Sequence, residues 1–218
     1  MNTRKSFRRS PHWSATRGFI EVFSDEKTTA QEMFSWIPNA YIKYPCTAEG
    51  LRAAQISVKQ GMRINITLCF SQQQAAAVYA ATKGTKEPVY VSPFVGRLDD
   101  IGQNGMDVVK NIKRMFSKSD GHVLVLAASI RSLEHLLYCF ALETELATVP
   151  AKVLGQWANK NFAMPDKEFQ YTAPGRPIPY EELDLEQEWE TFDIQHELTR
   201  KGIEKFAADY RATLARPA

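Results

Sequence analysis

Cysteine is scarce in this sequence: Cys46, Cys69 and Cys139 are the three in 218 residues, with no Cys-x-x-Cys pair and no even framework. That excludes a disulfide scaffold and a cysteine-ligated zinc site as organising features, and it fits the reducing cytoplasm. Histidine is almost as sparse. His12, His122, His135 and His196 lack metal-ligand spacing, so no metal is expected. No apolar run approaches the roughly 18 residues that cross a bilayer, and a secretory hydrophobic segment is missing, so no membrane partner is expected. A Gly-rich phosphate loop and a Ser–His–Asp order are also absent, and no cofactor is implied. Acids are missing from residues 1–17, which hold five Lys/Arg. The remainder then carries 22 bases against 25 acids, a net of −3 beneath the overall +2, so nucleic-acid binding is not indicated. This Arg- and Ser-rich start has the composition of an organellar transit peptide; a loose basic tail is the simpler reading.

What is present is an ordinary globular composition, 44% hydrophobic and 24% charged, in a chain long enough for one large domain or two small ones. Strand-like and helical stretches alternate strictly. Gly18–Phe23 reads as a strand and Glu26–Trp36 as a helix started by Ser24-Asp25. Ala40–Tyr44 is a strand closed by Pro45, with Thr47 capping a helix from Ala48 to Gln60. Arg63–Phe70 is the next strand, and Ser71-Gln72-Gln73-Gln74 has the form of a capping box before an alanine-rich helix. Val89–Pro93 is a strand that runs into a loop carrying Arg97. Helices at 106–118 and 132–142 flank the strand His122–Ser129, and Leu146–Val149 leads to a helix at Pro150–Asn159. Six such units imply a parallel sheet.

The faces of the strands discriminate between parallel architectures. In the 63–71 strand, Ile64, Ile66, Leu68 and Phe70 share one face, whereas Asn65, Thr67, Cys69 and Ser71 share the other. A doubly wound sheet would be apolar on both faces. One apolar and one small, polar face is the pattern of a (β/α)8 TIM-type barrel with its site at the C-terminal mouth. The expectation is an α/β protein with a partial TIM barrel over 18–162 of about six units. Residues 163–218 add a Pro-rich loop and C-terminal helices, in which Ile203, Phe206, Ala207, Tyr210 and Leu214 form a docking stripe.

The same parity points Glu21, Lys43, Asn65 with Thr67, Ser92 with Phe94, and Ser129 with Arg131 inward near the strand ends. A lysine in an apolar strand costs free energy unless paired, solvated or used, and a desolvated amine can attack a carbonyl. With Arg97 and Arg131 nearby, the set suits a Schiff-base lysine acting on a phosphorylated carbonyl compound. The plainer alternatives are a buried Glu21–Lys43 ion pair, small core roles for Thr67 and Ser92, and arginines paired with Asp99 or Glu134.

Four stretches carry a resemblance: Ile42-Lys43-Tyr44-Pro45-Cys46-Thr47, Asn65-Ile66-Thr67-Leu68-Cys69-Phe70-Ser71, Ser92-Pro93-Phe94-Val95-Gly96-Arg97 and Ala128-Ser129-Ile130-Arg131. In order and spacing they resemble the successive strand-end motifs of transaldolases, and Phe192–Leu198 is similar to transaldolase tails. The resemblance implies a class I, metal-free and cofactor-free mechanism. Lys43 would form a Schiff base with a ketose phosphate and pass a dihydroxyacetone unit to an aldose phosphate, in the pentose phosphate pathway. Glu21 and Thr67 would act through a water, while Asn65, Ser92, Phe94, Arg97, Ser129 and Arg131 would hold the substrate and its phosphate. Phe94 and Glu21 stand where the related fructose-6-phosphate aldolases have a tyrosine and a glutamine, which favours transfer over simple cleavage. The tail would fold over the barrel or contact a neighbouring subunit of a homo-oligomer.

The family also has two earlier strand–helix units, bearing a proton-shuttling aspartate and an asparagine, and residues 1–17 offer no match for them. Without a replacement such as Glu21 or Glu49, general acid–base help of roughly 10²–10⁴ would be lost. The competing expectations are a fructose-6-phosphate aldolase-like lyase and a weakly active or inactive homologue that binds sugar phosphates.

Overall fold

The computed structural model describes residues 30–166, 168–173 and 175–213 in full, and residues 18–21 and 214 by their backbone. The basic start and the expected helix signal at Ser24-Asp25 lie outside the described residues. Six strands appear: β1 Gly18–Glu21, β2 Ala40–Pro45, β3 Ile64–Cys69, β4 Val89–Pro93, β5 Val123–Ala127 and β6 Leu146–Ala147. The helices are α1 Ala30–Ser35, α2 Ala48–Lys59, α3 Gln72–Ala81, α4 Val95–Asp99, α5 Gly105–Phe116, α6 Leu133–Ala141, α7 Ala151–Ala158 and α8 Glu197–Leu214.

Every strand lies parallel beside its neighbour in chain order, from β1 to β6. A doubly wound sheet reverses its strand order at a switch point; this one does not. Right-handed crossovers repeated in one direction put all the connecting helices on one face, which is barrel winding. Among the described residues β1 pairs only with β2 and β6 only with β5, so six strands form an open arc of the barrel.

The helix-facing side is the apolar one. Ile42, Ile64 and Ile66 are fully buried, and the Tyr44 hydroxyl is 2.8 Å from Ser57 Oγ on α2. Side-chain caps start the helices at the strand ends. Thr47 accepts from the Gly50 N–H, Ser71 from that of Gln74, Asn104 from that of Met106, and Ser132 from that of His135.

Three features depart from the sequence expectation. The capping box is only half realised: Gln74 does not reach back to Ser71, because its carboxamide accepts from the Phe70 N–H at 2.7 Å. Its amino group donates to the Ile194 carbonyl and to Thr199 Oγ1, at 3.0 and 2.9 Å. The stretch after β4, expected as a loop, is the short helix α4, because Phe94 leaves the strand as its N-cap and Gly96 packs tightly on the Ser129 carbonyl. Residues 186–192, one of the stretches expected among the C-terminal helices, hold only a turn at 185–187 and one 3-10 turn at Trp189–Thr191. Residues 176–181, before it, use their backbone groups on partners elsewhere in the chain.

Those partners lie on the outside of the helices. From 169 to 192 the chain crosses them in reverse order. Tyr171 stacks on Tyr138 of α6 at 4.9 Å. Arg176 exchanges backbone hydrogen bonds with Gly102 and Asn104. Asn111 of α5 donates to the Ile178 and Pro179 carbonyls, and Asp107 accepts from the Ile178 N–H. Gln72 of α3 pairs with both backbone groups of Glu181, and Trp189 is buried with Arg52 of α2 over its ring. The chain then turns over the strand ends into α8.

Gln74 is the joint between that return and the sheet. Gln74→Ala orphans the Phe70 N–H and the Ile194 carbonyl, and an unmade buried hydrogen bond costs about 1–3 kcal/mol. Urea unfolding of this variant is expected to show a midpoint lowered to match, with an unchanged m-value.

Candidate active site

The helix-free face of the sheet holds the expected site residues in layers. Deepest is Tyr41, its ring centroid 5.2 Å from that of Tyr90, which is level with Asn65 on the next strand. One step toward the strand ends, Glu21, Lys43 and Asn65 are in register across β1, β2 and β3. Lys43 is half-buried, and the side chain of Glu21 lies outside the described residues. Ser92 of β4 donates to Asn65 Oδ1 at 2.8 Å, both residues being buried. Above them Thr67 stands beside Pro45. Its hydroxyl is buried with no protein partner. Leaving a buried polar group unpaired costs free energy, so a hydroxyl or water from outside the fold gains a strong attachment there.

Two strand ends are held in the left-handed backbone region by residues other than glycine, Leu68 with φ 57° and Ser129 with φ 58°. At Leu68 the register against β4 shifts between Ile66 and Cys69, so β3 carries one extra residue. Such conformations cost of order 1–3 kcal/mol each and cluster at functional sites. The bulge has a local consequence: the Leu68 carbonyl accepts from Thr199 Oγ1 of α8 at 2.9 Å. The extra residue thus presents a carbonyl to the C-terminal helix.

That helix forms one wall of the mouth. Phe94 packs between Phe70 and Phe206, with centroids 5.8 and 6.5 Å away, and His196 stacks on the other side of Phe70 at 5.1 Å. Arg97, carried by α4, has its guanidinium carbon 5.4 Å from the Phe94 centroid and 5.2 Å from that of Phe206. Of the apolar stripe read from the sequence, Phe206 therefore packs at the mouth of the chain's own sheet and Ile203 against the core, and the Leu214 side chain lies outside the described residues.

Arg131 behaves differently. Its side chain runs over Gly96, where an added Cβ would meet Arg131 Nε at 2.3 Å, and its guanidinium pairs through both terminal nitrogens with Asp100. The plainer alternative for Arg131 is thus realised, on Asp100 rather than on Asp99 or Glu134. With Ser132, Lys152 and Lys160 it lines an open cleft of ≈ 390 Å³ between α6 and α7. Asp99 instead accepts from the Gly105 N–H and sits 3.3 Å from His135 Nε2. Ser129, half-exposed, offers its carbonyl to the Gly96 N–H. Lys43, Asn65, Thr67 and Ser92 therefore come together, Phe94 and Arg97 sit under α8, and Arg131 turns aside.

Phe206, Thr199, Gln74, His196 and Asp100 complete this arrangement and were not among the expected site residues. The stripe containing Phe206 and the two carboxylates after Arg97 were visible signals, but neither names its partner. Among the described residues no cluster of three His, Cys, Asp or Glu side chains could hold a metal ion.

Burial lowers the pKa of His196, against the raising pull of Glu197 and Asp193, and it lowers that of His135 against Asp99 and Glu134. Each then binds a proton more readily in the unfolded chain. Stability present above the ordinary histidine value of about 6.5 falls as pH drops below it. Thermal unfolding from pH 7.5 to 5.5 is expected to show a declining midpoint. His196→Asn, which keeps an acceptor for the Leu198 N–H, should make the decline shallower.

The chain has relatives elsewhere. A sequence model of the Transaldolase/Fructose-6-phosphate aldolase family matches residues 19–216. A probable transaldolase of Roseiflexus sp. (strain RS-1) is 34% identical over 182 residues, 84% of this chain and 65% of that protein. One from Clostridioides difficile (strain 630) is 44% identical over 172 residues, 79% of this chain and 61% of that protein. A third, from Thermoanaerobacter sp. (strain X514), is 34% identical over 195 residues, 88% and 71% of the two chains. The chain thus spans somewhat under two thirds of the length of the first two of these curated relatives. The open arc of parallel strands with its barrel winding is consistent with that match, and the chain belongs to the transaldolase/fructose-6-phosphate aldolase family.

Proposed function

We propose that this chain forms a Schiff base between Lys43 and a ketose phosphate and transfers the resulting dihydroxyacetone unit to an aldose phosphate. The observation that carries the reading is the row Glu21, Lys43 and Asn65, in register across three strands. Ser92 extends it through its bond to Asn65, and the unpaired Thr67 hydroxyl stands one layer above.

Lys43 Nζ adds to the ketose C2 carbonyl, and the carbinolamine expels water to leave the iminium. Thr67 and Glu21 are the groups suited to hold that water and move its proton. Cleavage of the C3–C4 bond sends its electron pair into the iminium as an enamine, while the C4 hydroxyl proton passes to a base and the aldose phosphate departs. Glu21 is the base favoured by register; Glu49, in the first turn of α2, is exposed. The enamine then adds to the carbonyl of a second aldose phosphate, and hydrolysis of the new iminium frees the product and the lysine.

Asn65 and Ser92 suit the hydroxyls of the bound unit. Arg97, Ser129 and Arg131 suit the phosphate, since guanidinium groups pair well with a dianion. The side chains of the Arg131–Asp100 pair are 47% and 52% exposed, and ion pairs so exposed contribute about 0–1 kcal/mol. A phosphate can therefore exchange for Asp100. Phe94 and the Glu21 position favour transfer over an aldolase-like cleavage. The reading needs no cofactor and assigns the chain to the pentose phosphate pathway of the cytoplasm. The Arg131–Asp100 pairing favours a second reading, a protein that holds sugar phosphates with little turnover.

Borohydride reduction during incubation with fructose 6-phosphate tests the chemistry. Mass spectrometry is expected to find the reduced adduct on Lys43, and Lys43→Met is expected to carry none. A folded protein without an adduct sinks the enzymatic reading, and an adduct on another lysine sinks the site. Product analysis with and without an aldose phosphate acceptor then separates transfer from cleavage: free dihydroxyacetone without the acceptor marks the lyase.

A further inference from the structure

Arg131 lies along one face of α4 and is held there at two points. Gly96 is the first. A Cβ at that position would clash with Arg131 Nε and stand 2.6 Å from its Cδ, so the side chain packs on bare backbone as far as Nε. Asp100 is the second. Both terminal nitrogens of the guanidinium donate to its carboxylate, Nη2 to Oδ2 at 2.7 Å. Gly96 and Asp100 are four residues apart, the spacing that puts two residues on one helix face. The Nε flank of the fork therefore lies against Gly96. The edge formed by the two terminal nitrogens, which suits a bidentate oxyanion, is taken by Asp100. The same arginine lines the open cleft between α6 and α7 with Lys152 and Lys160.

We propose that Asp100 is an internal competitor for the substrate phosphate: it occupies the binding edge of Arg131 until a phosphate replaces it. This role rests on the proposed binding of that phosphate by Arg131. A carboxylate beside an arginine has two opposite effects on a ligand of that arginine. It orders the side chain in advance, which strengthens binding, and it must be displaced, which weakens binding. Gly96 decides between them. It already fixes Arg131 up to Nε, so Asp100 adds little order beyond it, and displacement dominates. The cost of displacement is modest, because both side chains of the pair are half-exposed. Affinity is thus held down without the site being closed, and a bound phosphate leaves readily. The pair also balances charge. Arg131 and Asp100 together are close to neutral, whereas an uncompensated guanidinium attracts anions through a field that salt screens.

A titration with inorganic phosphate, followed by 31P line broadening, tests this without turnover. Asp100→Asn, which keeps the shape and removes the charge, is expected to lower the phosphate dissociation constant about fivefold, the upper end of what an exposed ion pair returns. The affinity of this variant should also fall more steeply than that of wild type as sodium chloride is raised. Glu134→Gln removes an acid that lines the same cleft without bonding to Arg131. It is expected to stay within about twofold of wild type.

A gain from Glu134→Gln as large as that from Asp100→Asn makes the effect a general one of charge and overturns the proposal. So does an Asp100→Asn protein that binds phosphate no more tightly than wild type, and so does phosphate binding by neither protein. Borohydride trapping separates this from the chemistry. No adduct on Lys43, with the expected phosphate pattern, overturns the Schiff-base reading and leaves Asp100 in its role. An adduct on Lys43, with wild-type phosphate binding by Asp100→Asn, overturns the role of Asp100 alone.

Discussion

A sheet whose strands are neighbours in the order of the chain has its connecting helices on one side only, and the placement of the candidate site follows from that asymmetry. The covered face must be apolar, so Ile42, Ile64 and Ile66 meet helices. The other face is free to carry an amine, amides and hydroxyls at adjacent heights, because parallel pairing sets residues of successive strands level with one another. Lys43 stands between Glu21 and Asn65 for this reason. Polar groups on a buried face then need partners. Asn65 and Ser92 satisfy each other, and Thr67 keeps its hydroxyl for something outside the fold.

The second determinant is the bulge in β3. One extra residue puts Leu68 in the left-handed region and offers its carbonyl to α8. Thr199 takes that carbonyl, Gln74 takes Thr199, and the Phe70 N–H takes Gln74. A strand end, the helix that follows it and the last helix of the chain are tied at one point. Through that tie the C-terminal helix comes to face the lysine row, and local backbone strain is offset by a fixed orientation of a distant element.

Period-two alternation makes the inner row legible in the sequence: Lys43, Asn65, Thr67, Ser92 and Phe94 need only the strand boundaries, which proline and capping hydroxyls mark. The register among them was legible too, because successive strands of similar length start at similar heights. The positions of the arginines were not. Arg97 follows a strand that turns at once into a short helix, and its direction depends on α8. The partner of Arg131 was a choice among three nearby acids that spacing does not resolve. The docking place of α8 was equally hidden. An apolar stripe says that a helix will bury a face, but the contacts deciding where span 125 and 131 residues of sequence.

The returning segment from 175 to 184 works like the hoop on a cask. Among the described residues the arc of strands does not meet itself, so no closing ladder fixes its curvature. A strand-like cord laid across the outer helices, and fastened by the side-chain amides of Asn111 and Gln72 to its own backbone, runs along the direction in which the arc would spread. Backbone-to-amide fastenings are directional, so they resist sliding as well as lifting. Gln72 and Asn111 thereby tie the returning chain to α3 and α5 at once.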